Sequence, residues 1–133
     1  MSSDPKKQRI FWTQYQGVDY LMMDFSHASV AESLALMDDY AKALRDKPAL
    51  SVRMLTDVTE AQYEPSVANK WKAIRIQHDP VIKASAIYGL SGLVGVAIRA
   101  FIELLDMLSL NRGHKKLRIF KTRELALAWL IKV

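Results

Sequence analysis

Six residues in two short segments have side-chain types that could bind a ligand or a partner. Each segment follows a strand-like apolar run and precedes a helix-like pattern. Ligands of open α/β sheets bind outside the carboxyl ends of the strands. We therefore expect any ligand or partner site at this edge, formed by Asp57, Thr59, Glu60, Gly89, Ser91 and Gly92.

The segment from Gly89 to Gly95 could hold an anion, because amides at a helix N-terminus attract negative charge and glycines let a phosphate approach. Its spacing matches neither a Walker A loop nor a Rossmann fingerprint, and the lysine of a Walker A loop is missing. A tight turn with close helix-to-sheet packing explains the same glycines. Asp57 could equally be a turn aspartate that accepts backbone amides. A nucleotide or anion binder is therefore one alternative.

No catalytic or metal-binding set stands out. Ser91, His78 and Asp57 could be assembled into a triad on paper, but the chain has no Gly-x-Ser-x-Gly nucleophile elbow. His27, His78 and His114 share no ligand spacing, and without cysteine a structural zinc site is not expected. We predict a protein that is not an enzyme and that needs no metal or cofactor.

The composition is that of one globular domain. The chain has 133 residues, no cysteine and a formal net charge of +5. We expect a disordered arm over residues 1–9, a single domain over residues 10–133 and, from the absence of cysteine, a cytoplasmic location. A membrane-spanning apolar run is missing. Lys70, Lys72 and Arg75 flank Trp71, but this ring should point inward, so we do not expect nucleic-acid binding.

Periodicity and end signals predict the element order ββαβαβαβα, an α/β fold with a mixed sheet and four helices. The predicted strands cover residues 10–15, 18–25, 50–58, 81–88 and 117–120. The helices are expected after the capping box Ser29–Glu32, from Pro65, over residues 92–110 with a C-cap at Arg112-Gly113, and over residues 123–132 after Thr122. Gln16-Gly17 suits a hairpin turn, and parallel crossovers should follow that hairpin.

The helix over residues 92–110 is more apolar than packing on one sheet requires, with Arg99, Glu103 and Asp106 as its polar stripe. The surplus indicates a dimer partner, a hydrophobic ligand or a membrane surface. Alternatively, Trp129 and Leu130 of the last helix cover it. The candidate interface residues on this helix are Val96, Ala100, Phe101, Leu104, Leu105 and Leu108.

Residues 15–26, 51–57, 79–89 and 120–130 together resemble the SpoIIAA-like group of small bacterial proteins. That group shares the STAS fold of anti-sigma-factor antagonists and is likened to CRAL-TRIO lipid-transfer domains. The resemblance implies a STAS-like domain with a mixed sheet. STAS domains bind protein partners and some bind nucleotides, whereas CRAL-TRIO domains hold hydrophobic molecules.

One departure concerns the phosphorylated serine of anti-sigma-factor antagonists, which lies in an Asp-Ser-Ser-Gly-type segment after the third strand. Asp57 matches the aspartate at the strand end, but the segment is missing, and the aliphatic hydroxyls there are Thr59 and Ser66. These two are weak candidate phosphosites. The leading hypothesis is a non-catalytic regulatory or signalling module that binds a protein partner or a second copy. The main alternative is a carrier of a hydrophobic small molecule or lipid.

Overall fold

The computed structural model describes residues 8–108 and 117–133. The strands are β1 (Ile10–Tyr15), β2 (Val18–Asp24), β3 (Val52–Asp57), β4 (Ile82–Tyr88) and β5 (Leu117–Phe120). The helices are α1 (Val30–Leu44), α2 (Pro65–His78), α3 (Gly92–Leu108) and α4 (Arg123–Leu130), and a short 3₁₀ turn spans Asp79–Val81. The predicted order ββαβαβαβα is confirmed.

The five strands form one mixed sheet in which spatial order follows sequence order. β1 and β2 are antiparallel, and β2 to β5 run parallel to one another. Gln16 and Gly17 join the hairpin with φ values of 49° and 81°, which a two-residue turn matching the strand twist requires. β3 starts at Val52 instead of the predicted residue 50, because Leu50 has a φ of 53° and belongs to the preceding turn.

The predicted helix starts are confirmed where the structure describes them. Ser29 and Glu32 form the reciprocal capping box of α1, and Pro65 occupies the first turn of α2. The Thr122 hydroxyl accepts a hydrogen bond from the Leu125 amide at 3.2 Å and so caps α4. The predicted C-cap of α3 at Arg112-Gly113 lies outside the described residues, and so does His114.

Apolar side chains cover both faces of the sheet. On one face α1 and α2 pack on Leu21, Met23 and Met54, and Ile98 of α3 packs against the same cluster. On the other face α4 packs on residues that include Tyr20 and Leu55. Crossovers that all step the same way along a parallel sheet place their helices on one face, which leaves the other face for the terminal helix.

This division decides one alternative left open by the sequence. Leu130 belongs to the core on the α4 face and Trp129 packs against it, whereas Ile98 of α3 packs on the opposite face. Trp129 and Leu130 therefore do not cover α3, and that alternative was wrong. Trp71 does point inward, as predicted.

Arg9, which the sequence assigns to the arm, is held against the loop after β2. Its guanidinium donates a hydrogen bond to the Ser26 carbonyl, and its own carbonyl accepts one from the Asp24 amide at 2.7 Å. The guanidinium also lies 4.0 Å from the carboxylate of Glu32. These contacts hold the chain just before β1 against the start of α1.

Candidate functional site

The carboxyl ends of three neighbouring strands meet in register at one edge of the sheet. Asp24 pairs with Asp57, and Asp57 pairs with Tyr88. Backbone hydrogen bonds join the loops that follow: Phe25 N donates to Asp57 O at 2.8 Å, and Val58 N donates to Tyr88 O at 3.0 Å. The Asp57 and Gly89 segments therefore lie together at this edge of the sheet, as predicted.

Both carboxylate oxygens of Asp57 accept hydrogen bonds at this edge. Its Oδ1 accepts hydrogen bonds from the amide of Thr59 at 2.9 Å and from the Thr59 hydroxyl at 2.6 Å. Its Oδ2 accepts the phenol hydrogen of Tyr88 at 3.1 Å. Asp57 is therefore a turn aspartate that accepts the backbone amide two residues later. Burial first, and then the charge and hydrogen bond of Asp57, raise the pKa of Tyr88 to about 12.

Gly89 serves close packing between two loops. It has a φ of 97°, in the left-handed region that favours glycine. The Thr59 amide nitrogen lies 2.7 Å from where a Cβ on Gly89 would stand. No other residue type fits there without moving the loop after β3.

Glu60, Gly89, Ser91 and Gly92 line one groove of about 380 Å³, with Leu93 beside them. Among the described residues that line it, Glu60 supplies the one formal charge, and that charge is negative. Ser91 and Gly92 are exposed. A carboxylate in the groove works against an anionic ligand, although the helix N-terminus alone would favour one.

Asp57 does not line this groove. It borders a second cleft on the α4 face of the sheet, together with Asp24 and Tyr88. The six predicted residues therefore divide: Glu60, Gly89, Ser91 and Gly92 share one groove, Asp57 lines the other cleft, and Thr59 supports both loops.

The two candidate phosphosites differ in accessibility. Thr59 is half-buried, and its hydroxyl is engaged by Asp57. Ser66 is exposed in the first turn of α2, where its hydroxyl donates a hydrogen bond to the Glu64 carboxylate. Of the two, Ser66 is the hydroxyl that a kinase could reach without unfolding a loop.

Among the described side chains of α3, the exposed apolar ones lie on the side away from the sheet. Leu93 is 88% exposed and Val96 is 65% exposed. Ala97 and Ala100 continue the same side and are exposed as well, whereas Gly95 is buried and Ile98 half-buried on the sheet side. We call Leu93, Val96, Ala97 and Ala100 the outer face of α3.

The other candidate interface side chains, Phe101, Leu104, Leu105 and Leu108, lie outside the described side chains. Of the predicted interface residues, the structure therefore describes Val96 and Ala100, and both are exposed. Within the described residues no helix is long and apolar enough to cross a membrane.

A small apolar cavity of about 80 Å³ lies between the sheet and the helices of the α1, α2 and α3 face. Its walls include Phe25, Met37, Trp71 and Ile98. Thr56 also lines it, is 4% exposed, and has no hydrogen-bond partner for its hydroxyl within the described residues. At about 30 Å³ per water, a cavity of this size holds roughly two or three waters, and it is far smaller than the roughly 300 Å³ of a drug-sized ligand pocket.

Sequence reasoning missed the residues that join Asp57 in the cleft on the α4 face. These are Tyr20, Asp24, Tyr88 and Arg123, around a volume of about 390 Å³. One signal was available, because Asp24 lies one residue before the end of its predicted strand, as Asp57 does in the next. The contribution of Arg123 had no such signal, since it depends on which face of the sheet α4 covers.

Comparison with known proteins identifies the fold. No family model and no curated protein matches the chain. The structure is similar to the crystal structure of an uncharacterised protein of the DUF3478 family with a SpoIIAA-like fold from Shewanella loihica PV-4. The two chains are 20% identical, with a TM-score of 0.64 over 98% of each chain. The α/β arrangement of this protein, a mixed sheet with four helices, is a SpoIIAA-like fold.

Proposed function

We propose that this protein is a non-catalytic STAS-like interaction module that self-associates through the outer face of α3. The observation that carries the proposal is the exposure of Leu93 and Val96, 88% and 65%, on a continuous apolar strip. Ala97 and Ala100 extend the strip by a further helical turn. Large apolar side chains grouped on one face in this way mark interaction surfaces, whereas single exposed ones are common.

The charges beside the strip favour a second copy of the chain as the occupant. Arg99 and Glu103 are exposed one helical turn apart, on the same side of the outer face. In an antiparallel pair of α3 helices related by a two-fold axis at residue 101, Arg99 of each copy faces Glu103 of the other, and the outer face of each copy packs along the C-terminal half of the other α3. The small side chains of Ala97 and Ala100 let the two helices approach closely. Arg99 and Glu103 therefore make this part of α3 complementary to itself in charge.

Sedimentation equilibrium of the full chain tests this proposal. We expect a concentration-dependent dimer, and we expect Val96→Asp to shift the equilibrium to monomer because it buries a carboxylate in the contact. Ile76→Asp is the matched control, since Ile76 is an apolar residue that is 55% exposed on a different helix, α2. It should leave dimerisation unchanged.

Three outcomes would contradict self-association through α3. One is a wild-type monomer at high concentration, and another is a dimer that Val96→Asp leaves intact. The third is a monomer that co-sediments with lipid vesicles and loses this binding in Val96→Asp, which would make a membrane surface the occupant of the outer face.

A second candidate function is a carrier of a hydrophobic small molecule, and the unpartnered hydroxyl of Thr56 in an apolar cavity favours it. A ligand with one polar atom would satisfy that hydroxyl. The cavity would have to widen, which requires one of the helices that line it to move outward from the sheet. Native mass spectrometry of the purified protein should then detect a retained ligand that Thr56→Val loses. A ligand-free spectrum would remove this candidate.

The third function considered, a nucleotide or anion binder, has less support. The groove at Gly89 and Ser91 holds the carboxylate of Glu60, which repels an anion. The charge of this groove therefore favours self-association or hydrophobic binding over nucleotide or anion binding as the function.

A further inference from the structure

The cleft on the α4 face of the sheet lies on the opposite side of the sheet from the outer face of α3. Its volume of about 390 Å³ falls within the range of small-molecule sites, about 300 to 1,000 Å³. It opens at the carboxyl ends of β2 and β3, where open α/β sheets hold their ligands. Position and size therefore suit a small molecule, independently of what covers α3.

The cleft has an excess of negative charge. Asp24 and Asp57 sit side by side on adjacent parallel strands, and Arg123 is the cation among the described lining residues. The Arg123 guanidinium donates to the phenol oxygen of Tyr20 at 3.4 Å. Two carboxylates against one guanidinium leave one formal negative charge between walls that are partly shielded from water.

One carboxylate oxygen in the cleft is available to a ligand. Asp57 uses both oxygens, for Thr59 and for Tyr88. Asp24 uses Oδ1 alone, which accepts from the Ser26 amide at 2.9 Å and from the Ser26 hydroxyl at 2.5 Å. Within the described part of the chain, Asp24 Oδ2 has no donor. It is an acceptor that a ligand ammonium or guanidinium group can use.

Aromatic side chains form part of the remaining walls, beside Gln8, Thr13, Gln14 and Met22. Phe11, Tyr15, Tyr20 and Tyr88 all line the cleft. Aromatic rings attract organic cations through their negative faces, and they accept the hydrocarbon part of such a molecule. A carboxylate beside aromatic side chains favours an alkylammonium or guanidinium ion over an inorganic one.

We propose that this cleft is a binding site for a small organic cation, with its charged group on Asp24, beside the negative charge of Asp57, and its hydrocarbon part against the aromatic side chains. The positive charge of Arg123 repels the bound cation and lowers the affinity of the cleft for it.

Amide chemical shifts of the full chain, titrated with agmatine, test the proposal. Agmatine carries a guanidinium and an ammonium group on a short hydrocarbon chain, and 4-guanidinobutanoate is its matched control with a carboxylate for the ammonium. We expect agmatine at millimolar concentration to shift amides at the ends of β2, β3 and β4. The control compound should bind more weakly, and added salt should weaken agmatine binding.

Two substitutions should change the affinity in opposite directions. Asp24→Asn removes the charge but keeps an oxygen for Ser26, and it should weaken agmatine binding about fivefold. Arg123→Gln removes the opposing charge from an exposed position and should strengthen binding by a similar factor. Damage to the fold cannot raise affinity, so Arg123→Gln carries the test if Asp24→Asn is unstable.

The proposal is overturned if agmatine leaves the cleft amides unshifted at millimolar concentration. It is also overturned if acetate or phosphate shifts these amides and Arg123→Gln abolishes that effect, because the cleft would then bind anions.

Discussion

A Cβ on Gly89 would lie 2.4 Å from the hydroxyl oxygen of Thr59. Thr59 cannot move away freely, because its amide donates to Asp57 and its carbonyl accepts the His27 amide at 2.8 Å. The loops after β2, β3 and β4 therefore contact one another at Gly89 and Thr59. The groove at Glu60 and Gly89 and the cleft on the α4 face both lie at this edge, so their shapes depend on this contact.

Gly89→Ala should lower the free energy of unfolding by about 3 kcal/mol, because it combines a steric clash with an unfavourable positive φ. Gly17→Ala is the matched control: Gly17 also has a positive φ, of 81°, but open space surrounds the position of its Cβ. It should cost only about 1 kcal/mol. Urea unfolding measures both. Equal losses in the two variants would show that the Thr59 contact adds nothing.

Charge reversal on α3 should reveal the geometry of the dimer. Arg99→Glu and Glu103→Arg each place like charges opposite each other twice in a two-fold pair, so each should weaken self-association about tenfold. The double variant restores opposite charges and should recover most of the wild-type dimer. Sedimentation equilibrium at low salt provides the dissociation constants. Additive weakening in the double variant would rule out the antiparallel arrangement.

Stability at high pH should depend on Tyr88. Its pKa of about 12 in the folded protein lies above the ordinary value near 10, so the unfolded chain releases this proton first. The stabilisation is fully present below pH 10 and is lost as the pH rises from 10 to about 12. Tyr88→Phe should therefore lose less stability than the wild type across that window. Burial also raises the pKa of Tyr40, but both proteins share that residue.

Urea titrations of both proteins at matched pH values provide this comparison. The same slope of stability against pH in wild type and Tyr88→Phe would contradict the assignment of the raised pKa to Tyr88.

Thr56→Val should raise the free energy of unfolding by about 1 kcal/mol, because it removes a buried hydroxyl that has no partner within the described residues while keeping the shape of the side chain. Thr56→Ser keeps the hydroxyl and loses a methyl group, so it should destabilise by about 1 kcal/mol. Thermal unfolding monitored by circular dichroism ranks the three proteins. A destabilised Thr56→Val would mean that the hydroxyl has a hydrogen-bond partner in solution, such as a water molecule in the cavity.

Much of the fold could be predicted from the sequence because its signals are local. The capping box at Ser29, the proline at residue 65 and the glycine turn at residue 17 each act within a few residues of themselves. Strand and helix periods then fix which side chains face the core. The bounds of β1 and β5 match the prediction to the residue, whereas β3 starts two residues late because a distant carbonyl, that of Pro80, holds Leu50 in a turn.

The candidate site divides in the same way. The sequence by itself determined that Asp57 and Gly89 end neighbouring strands, and that α3 has more apolar surface than one sheet face can cover. Only the tertiary structure decided that Asp57 joins Asp24, Tyr88 and Arg123 on the face covered by α4, while Glu60 and Gly89 open beside α3. The physical reason is that side-chain direction at a strand end and the face chosen by a terminal helix depend on packing between distant segments, which local propensities do not encode.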